Sequence, residues 1–478
     1  MTRILIVGAG PGGIRAAEAL VRAGLRPVVV DEGARAGGQI YRRPPHGFLR
    51  DARALYGSEA HKAEALHACF DRMVAQGRLD YLPGCAVHSL RDGLAHLTGR
   101  APIAYDRLIL ATGATDRLMP VPGWQSAGVF SLGAMQIALK AQGVALGQRI
   151  VLAGSGPLLT LLASQLVKAG AGLAAVLDTS RMGDQLRGGV GMALARPLVT
   201  LRGARMRLGL PYHAGVVLDA IDAGAVRWRD ARGHAQVTEC DAVGLGWHLR
   251  AETQLADLAG AQFDWSEVWQ QWLPRIDDLG RAGPGLYLAG DGVRILGADG
   301  AELAGRRAAA ACLHDLGLEA PVPDLRRTER FAAALARAFP WPAVDVPDST
   351  VVCRCEGITA GELRATVDRT GPEANRVKSL ARIGMGRCQG RYCQLAAVDL
   401  IACHAGTSRA SVGRLRGQPP VRPVTVADLL AAESSAVGTK PEDSAAASSL
   451  SAASASPLAA PCLQATPRMP CSPSAPKT

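Results

Sequence analysis

Ile4-Leu-Ile-Val-Gly8-Ala-Gly10-Pro-Gly-Gly13 decides the fold of this chain. Four branched apolar residues read as a short buried strand, and the glycines that follow have the spacing G-x-G-x-x-G. Ala16, Ala17, Leu20 and Val21 recur at helical spacing, Gly24 ends the helix, and residues 28–30 form a second strand. Glycines at these positions permit a tight turn, close approach of a pyrophosphate to the backbone, and close helix–strand packing, and the helix N-terminus adds partial positive charge. Gly8, Gly10, Pro11 and Gly13 are therefore candidate dinucleotide contacts. Asp31 ends the second strand, 23 residues past Gly8, and is the candidate acceptor for ribose hydroxyls, with Glu32 beside it as the alternative.

Working outward, the same signature comes twice. A strand at 149–152 runs into Gly154-Ser-Gly156-Pro-Leu-Leu159, and a further strand ends at Asp178. Here Leu159 replaces the third glycine, so the helix must stand off or shift. Residues 41–80 read as mostly helical. Strands are expected near 82–90 and 94–97, joined at Asp92-Gly93, and near 216–220 and 225–228. Leu108-Ile-Leu-Ala-Thr112-Gly113 and Gly285-Leu-Tyr-Leu-Ala-Gly-Asp291 are buried strands ending in turns, and an Ala-rich helix covers about 301–316. The expected class is α/β, with two Rossmann-like dinucleotide-binding modules. The first spans 1–120 and 251–320, the second 121–250, and a linker with a helix near 325–345 covers 321–347.

The C-terminal part carries a different signal. Cys353-x-Cys355 is followed after 32 residues by Cys388-x4-Cys393. Four thiolates suit an iron–sulfur cluster or zinc, but zinc knuckles favour C-x2-4-C over an opening C-x-C. Thr359-Ala-Gly-Glu362 is a capping box, and a second helix is expected through Ile401, which places both cysteine pairs near helix N-termini. Residues 348–432 form this unit, with Lys378 and Arg382 read as solvated helix-face charges. From Glu433 to 478 the sequence is Ala, Ser and Pro, a tail expected to be disordered.

Composition narrows the class. With 48% hydrophobic and 20% charged residues the 478-residue chain is a globular protein. Its net charge of +11 comes without a Lys/Arg block interleaved with aromatics, which argues against nucleic-acid binding. The apolar strand follows directly on Met1-Thr-Arg3, leaving no room for a signal peptide. No uninterrupted run of about 20 apolar residues predicts a membrane span, so a cytoplasmic location is expected. Cys69, Cys85, Cys240, Cys312 and Cys403 read as buried small apolar residues. There is no Cys-x-x-Cys in the first 350 residues, which excludes the dithiol of a disulfide reductase. No catalytic acid or base stands out: His46, His61, His67 and His88 are scattered, and Tyr41, Arg42 and Arg43 are either structural or face a bound cofactor or substrate.

Several of these segments resemble known families. Ala111-Thr-Gly113 with Pro120-Val-Pro-Gly123, Leu288-Ala-Gly-Asp291, and Gly37-Gly38-Gln39-Ile40 resemble three motifs of two-dinucleotide flavoprotein reductases. That resemblance implies FAD, with Gly38, Gln39, Val87, Thr112, Gly113 and Asp291 among its contacts. Residues 348–405, with Gly384-Met-Gly and Cys388-Gln-Gly-Arg391, resemble the bacterioferritin-associated-ferredoxin-like module, which implies a [2Fe-2S] cluster on the four cysteines. The whole order, together with Gly37-Gly-Gln-Ile-Tyr-Arg42 and Pro419-Pro-Val-Arg-Pro423, resembles the A or alpha subunits of opine oxidases and of hydroxyproline and proline dehydrogenases, and the B subunit of hydrogen cyanide synthase.

The resemblance implies an electron-transfer subunit. Its partner would be a beta subunit resembling D-amino-acid or sarcosine oxidase, with a small gamma subunit in some relatives, and its acceptor a quinone. FMN at a subunit interface is implied by some relatives, and ATP in place of a dinucleotide by others. NAD(P) binding at Gly154–Leu159 is the doubtful element. Two alternatives stand beside this reading: a self-contained NAD(P)H-dependent reductase that passes electrons through its cluster, and a non-enzymatic cluster protein with structural nucleotide modules.

Overall fold

The structure is a computed structural model that describes residues 2–437 apart from His46 and Leu49. Six strands form the first sheet, in the order Arg281–Gly283, Leu286–Leu288, Arg107–Leu110, Ile4–Val7, Val28–Asp31 and Asp80–Pro83. All neighbours run parallel except the first pair. Ile4–Val7 lies in the interior with every residue buried, which is why it reads as an unbroken apolar run. Helix Pro11–Arg22 then packs on helix Gly297–His314. The two backbones nearly touch: a Cβ on Gly305 would sit 2.0 Å from the Gly12 carbonyl oxygen. The run Ala308–Ala311 in the second helix is buried in keeping with that closeness.

The second sheet repeats the plan with five parallel strands, ordered Tyr212–Ala214, Leu173–Asp178, Ile150–Ser155, Ala242–Trp247 and Val129–Ser131. A three-stranded antiparallel meander accompanies each sheet, 87–104 for the first and 217–239 for the second. The chain is thus a mixed α/β dinucleotide-binding fold in which one architecture occurs twice.

The strand expected over 82–90 is two strands. Asp80–Pro83 completes the first sheet, Gly84 turns with φ +67°, and Val87–Arg91 opens the meander. The Asp92-Gly93 hairpin forms as expected, both residues at positive φ (51° and 72°), as a tight two-residue turn requires.

Helix Arg326–Ala338 leads to the cysteine-bearing unit, which has strands Val351–Cys353 and Ile358–Thr359 and helices Ala360–Thr370, Ala374–Ala381 and Gln394–His404. It has its own core, built on Val352, Leu363, Val377, Ile383 and Ile401. The capping box closes as read: the Thr359 hydroxyl accepts from Glu362 N–H, and the Glu362 carboxylate accepts from Thr359 N–H. Such a cap contributes about 1 kcal/mol.

Several specific contacts fasten this unit to the sheets. Trp124 Nε1 donates to Val351 O (2.6 Å). Arg414 grips Asp257 with two bonds (2.7 and 2.8 Å) and stacks on Phe263. Arg117 lies 3.7 Å from the Trp341 ring while donating to the carbonyls of Trp269 and Gln270.

Lys378 is not the solvated charge that its polar helix predicts: it is buried, and its Nζ donates to Arg416 O (2.6 Å). Arg382 is exposed but lies past its helix, in the left-handed region, paired with Glu356. Cys403 is exposed rather than buried, whereas Cys85, Cys240 and Cys312 are buried and Cys69 is intermediate. Helix Val426–Val437 runs through Glu433, where the sequence predicts the tail to begin. The rest of that tail, with Cys462 and Cys471, lies outside the described residues.

Candidate functional site: a dinucleotide cradle joined to a four-cysteine loop

The fingerprint glycines have separable jobs. Gly8 holds φ +104°, and a Cβ there would lie 2.3 Å from Ala111 O. A Cβ on Gly13 would lie 1.8 Å from Gly8 O. Both residues let strand, turn and helix close on one another. Gly10 is different, since its Cβ would meet only the Gly38 Cα, at 3.6 Å. Gly38 has φ +65°, and its own Cβ would sit 2.8 Å from the Gly10 Cα. The Gly-Gly-Gln turn and the fingerprint turn therefore meet backbone to backbone. Helix Pro11–Arg22 has no side-chain cap, and its first-turn N–H groups have no intrahelical acceptor. Pro11 at the first position sacrifices no useful donor. This bare, glycine-lined N-terminus fits the pyrophosphate of a dinucleotide.

Asp31 braces this loop. Its carboxylate accepts from the N–H groups of Ala9 and Gly33, and burial pushes its pKa up. A ribose would have to use the lone pairs those bonds leave. Glu32 is turned away to Arg422 (3.0 Å). Val87 is buried where the meander begins, next to the Cys85 N–H to Asp31 O bond. Gln39 holds Arg42 through its side-chain oxygen (2.7 Å).

Asp291 accepts from Leu296 N–H (2.8 Å) and Gly297 N–H (3.1 Å), and burial pushes its pKa up to about 6. Folding thus favours its protonated form. That contribution is fully present below the ordinary value of 3.8 and is lost as pH rises through about 6. In flavin-free protein Asp291→Asn is expected to remove this pH dependence, which amounts to on the order of 3 kcal/mol. Chemical denaturation on either side of that window checks it; parallel pH profiles for the two proteins would contradict it.

Thr112 and Gly113 connect this cradle to the cysteines. The Thr112 hydroxyl donates to Glu252 O (2.6 Å), and Glu252 N–H donates to Gly113 O (3.0 Å). The Glu252 carboxylate, almost wholly buried, forms an ion pair with Arg391 (2.9 Å), which lies between Cys388 and Cys393. Two residues on, Gln254 donates its amide to the carbonyls of Cys388 (3.3 Å) and Gln389 (2.8 Å). Arg250, also buried, donates to Arg391 O (2.6 Å). One segment, Arg250–Gln254, thus contacts the turn after the Leu108 strand on one side and the cysteine loop on the other. Breaking a buried charge pair by removing one partner costs about 3–5 kcal/mol. Glu252→Ala is accordingly expected to lower both thermal stability and cluster retention; an iron content and melting temperature equal to wild type would sink that expectation.

The four sulfurs fall into two pairs. Cys353 and Cys393 share a hydrogen bond, and so do Cys355 and Cys388. Cys393, with the N–H groups of Gly384, Glu356 and Cys355, stabilises the Cys353 thiolate and brings its pKa down to about 6. The same Cys353 contact, with burial, raises Cys393. Among the described residues no three or more His, Cys, Asp or Glu side chains are gathered closely enough to hold a metal ion. Paired cysteines flanked by backbone N–H groups fit a two-iron cluster, with thiolates as its ligands.

Cys393 caps helix Gln394–His404, as the sequence implied. Cys353 instead ends a strand, and Cys355 stands in the turn before Thr359, so that pair is not at a helix N-terminus. Gly386 is tightly placed: a Cβ there would be 2.4 Å from the Cys355 Cβ. Gly386→Ala should displace Cys355 and lower the iron bound per chain while sparing the flavin. Full iron loading in that variant would argue against the close approach.

The second glycine turn is filled by the chain itself. A Cβ on Gly156 would meet the His248 ring at 3.2 Å, and His248 Nε2 lies 2.9 Å from Phe339 O. Burial brings the His248 pKa down to about 4, so the ring is neutral. Asp178, which could accept from a ribose, is fully buried and already accepts from Tyr212 Oη and Ser180 N–H. Leu159 is buried in the core beneath the sheet.

Tyr41 is also a core residue, Arg43 pairs with Asp71, and His67 lies 2.9 Å from Tyr41 O. His61 is exposed, and His46 lies outside the described residues. No sequence signal singles out Arg250, Glu252 or Gln254 for a role at the site; Arg391 falls inside the Cys388–Arg391 stretch, but nothing there points to its partner Glu252. Arg422 falls inside the Pro419–Pro423 motif, but nothing there points to its partner Glu32.

Comparison with known proteins agrees with this geometry. The pyridine nucleotide-disulphide oxidoreductase family matches residues 2–308, and the BFD-like [2Fe-2S] binding domain matches 351–402, spanning all four cysteines. The A subunit of opine oxidase from Rhizobium meliloti is 38% identical over 89% of this chain and 86% of its own length. The chain belongs to the family of opine oxidase A subunits. Hydrogen cyanide synthase subunit HcnB of Pseudomonas aeruginosa is 31% identical over 88% of this chain and 97% of its own. An L-proline dehydrogenase structure from P. horikoshii superposes with a TM-score of 0.65 at 18% identity, covering 90% of this chain and 79% of that one, and shares the fold. This member of the opine oxidase family is a flavin oxidoreductase chain, whose first domain implies FAD and whose second implies a [2Fe-2S] cluster. None of its described helices is long and apolar enough to cross a membrane.

Proposed function

We propose that the chain is the electron-transfer subunit of a heteromeric dehydrogenase acting on the CH–NH bond of a secondary amine such as hydroxyproline, proline or an opine. A partner beta subunit removes the hydride. The module formed by 1–120 and 251–320 would hold FAD, which would supply the two-electron acceptor, and the unit within 348–432 would hold a [2Fe-2S] cluster, which would supply the one-electron route to a quinone-type acceptor. Gly8, Gly10, Pro11, Gly13, Asp31, Gly38, Gln39, Val87, Thr112, Gly113 and Asp291 are the assigned FAD contacts, with Glu32 at the adenosine end. Cys353, Cys355, Cys388 and Cys393 are the assigned cluster ligands.

The observation that supports this reading is the network from Thr112–Gly113 through Glu252 and Arg391 to the cysteine loop, which joins the two assigned cofactor sites through one segment. A flavin can pass electrons singly to a one-electron cluster, so fixed neighbours suit this task. The turn at Gly154–Leu159, packed by His248 and with Asp178 already engaged, supports an amine rather than NAD(P)H as the electron source. FMN at the subunit interface and a cytoplasmic location belong to the same proposal.

The test is anaerobic titration of the purified chain, alone and with its partner subunit, with NADH and with secondary amines. Amine-dependent bleaching only in the presence of the partner supports the reading. Rapid reduction of the lone chain by NADH would make it a self-contained reductase.

A further inference from the structure

Helix Met182–Ala195 and helix Pro197–Arg205 form a hairpin at the edge of the second module. Its inner side is made of small residues. A Cβ on Gly188 would lie 2.4 Å from Ala338 N, and one on Gly191 would lie 3.0 Å from the Ala334 Cβ, so helix Arg326–Ala338 packs against this glycine face. The large apolar side chains are turned the other way. Leu186, Val190 and Leu194, spaced four residues apart, form a stripe along the first helix, and Leu198, Leu201 and Leu208 continue it. Leu194 and Leu198 are 82% and 80% exposed. This reverses the ordinary arrangement, in which the apolar stripe of a surface helix faces the core.

The charges around the stripe are mostly basic, although Glu59 reaches it from the first module and pairs with Arg202 (3.1 Å). Arg181, Arg187, Arg202 and Arg205 are exposed, and the only acid between 181 and 209 is Asp184, held by Arg187 (3.2 Å). The segment contains no aromatic residue.

We propose that this hairpin docks the protein on the surface of a bilayer rich in anionic lipid, with the leucine and valine side chains entering the headgroup boundary and the arginines meeting lipid phosphates. Leucine with arginine flanks is the composition of interfacial helices. Protein interfaces instead concentrate their binding energy in Trp, Tyr and Arg, with Leu and Val under-represented. Neither helix can span a membrane, so the hairpin lies on the surface. Only the hairpin and its charge are needed for this docking, so it is independent of the cofactor assignments.

The experiment is flotation of the purified full chain with phosphatidylcholine vesicles, with and without phosphatidylglycerol, at low and high salt. Wild type is expected to float with the anionic vesicles and to be released by salt. The Leu194→Glu/Leu198→Glu variant should bind at least about tenfold more weakly while keeping wild-type flavin absorbance and melting temperature. Both side chains point into solvent, so this change should leave the fold intact. Val217, an exposed residue of the second meander, lies outside the stripe, and Val217→Glu is the control expected to float like wild type. Three results would overturn the proposal: wild type that does not bind, equal binding of wild type and the double variant, or a wild-type dimer that the double variant abolishes, which would make the stripe a contact between copies.

Discussion

Cys393→Ser is expected to abolish the iron–sulfur cluster while leaving the flavin in place. Cys393 is buried, caps helix Gln394–His404 and pairs with Cys353. A serine hydroxyl retains its proton at neutral pH and is a far weaker ligand for cluster iron than a thiolate. Cys393 belongs to the core of this unit with Val352, Leu363, Val377, Ile383 and Ile401, and serine is close to cysteine in size, so the unit should stay folded. Iron per chain should fall to near zero, and the visible absorption should become that of a simple flavoprotein. Cys403→Ser is the control: Cys403 is exposed and outside both pairs, and its loss should leave iron unchanged. Equal iron in Cys393→Ser and wild type would remove the cysteine from the ligand set.

Gly13→Leu should have a comparably large effect on the other cofactor. A Cβ on Gly13 would fall 1.8 Å from the Gly8 carbonyl oxygen, and helix Pro11–Arg22 is pinned on its far side where Gly12 meets Gly305. The helix cannot back away without breaking that second contact. The variant should lose FAD on purification and about 3 kcal/mol or more of stability. The second module supplies a comparison within the same chain. Leu159 occupies the matching place there and is buried in the core with Leu152, Leu162 and Val176. Leu159→Gly should therefore cost stability through a cavity, about 2–5 kcal/mol, and leave the flavin bound. Flavin loss from Leu159→Gly but not from Gly13→Leu would invert the assignment of the two modules.

The parts of this protein visible in the sequence are those where one residue type is required locally. Gly8 and Gly13 must be glycine because backbone atoms occupy the place of a side chain, and four cysteines at ligand spacing have few other uses. Asp92-Gly93 announces its hairpin for a similar reason, since both residues adopt positive φ. What joins the sites is not visible. Glu252 and Arg391 are 139 positions apart, and a charge pair across that distance leaves no periodic or compositional mark. Lys378 reads as solvated because its helix is polar, but the loop carrying Arg416 folds over it and accepts a hydrogen bond from it. The single strand expected near 82–90 is two strands because apolar patterning does not register which sheet a strand joins. In the second module, a glycine turn alone cannot report that His248 and Phe339 close over it.

The most direct test of the central claim is electron paramagnetic resonance of the chain in complex with its partner subunit, mixed anaerobically with a secondary amine that bleaches the flavin. The account predicts that the signal of a reduced [2Fe-2S] cluster grows in as the flavin bleaches, and that it is weakened in Glu252→Ala. A cluster that stays oxidised beside a fully reduced flavin would contradict it, because the two sites would then not be joined for electron transfer.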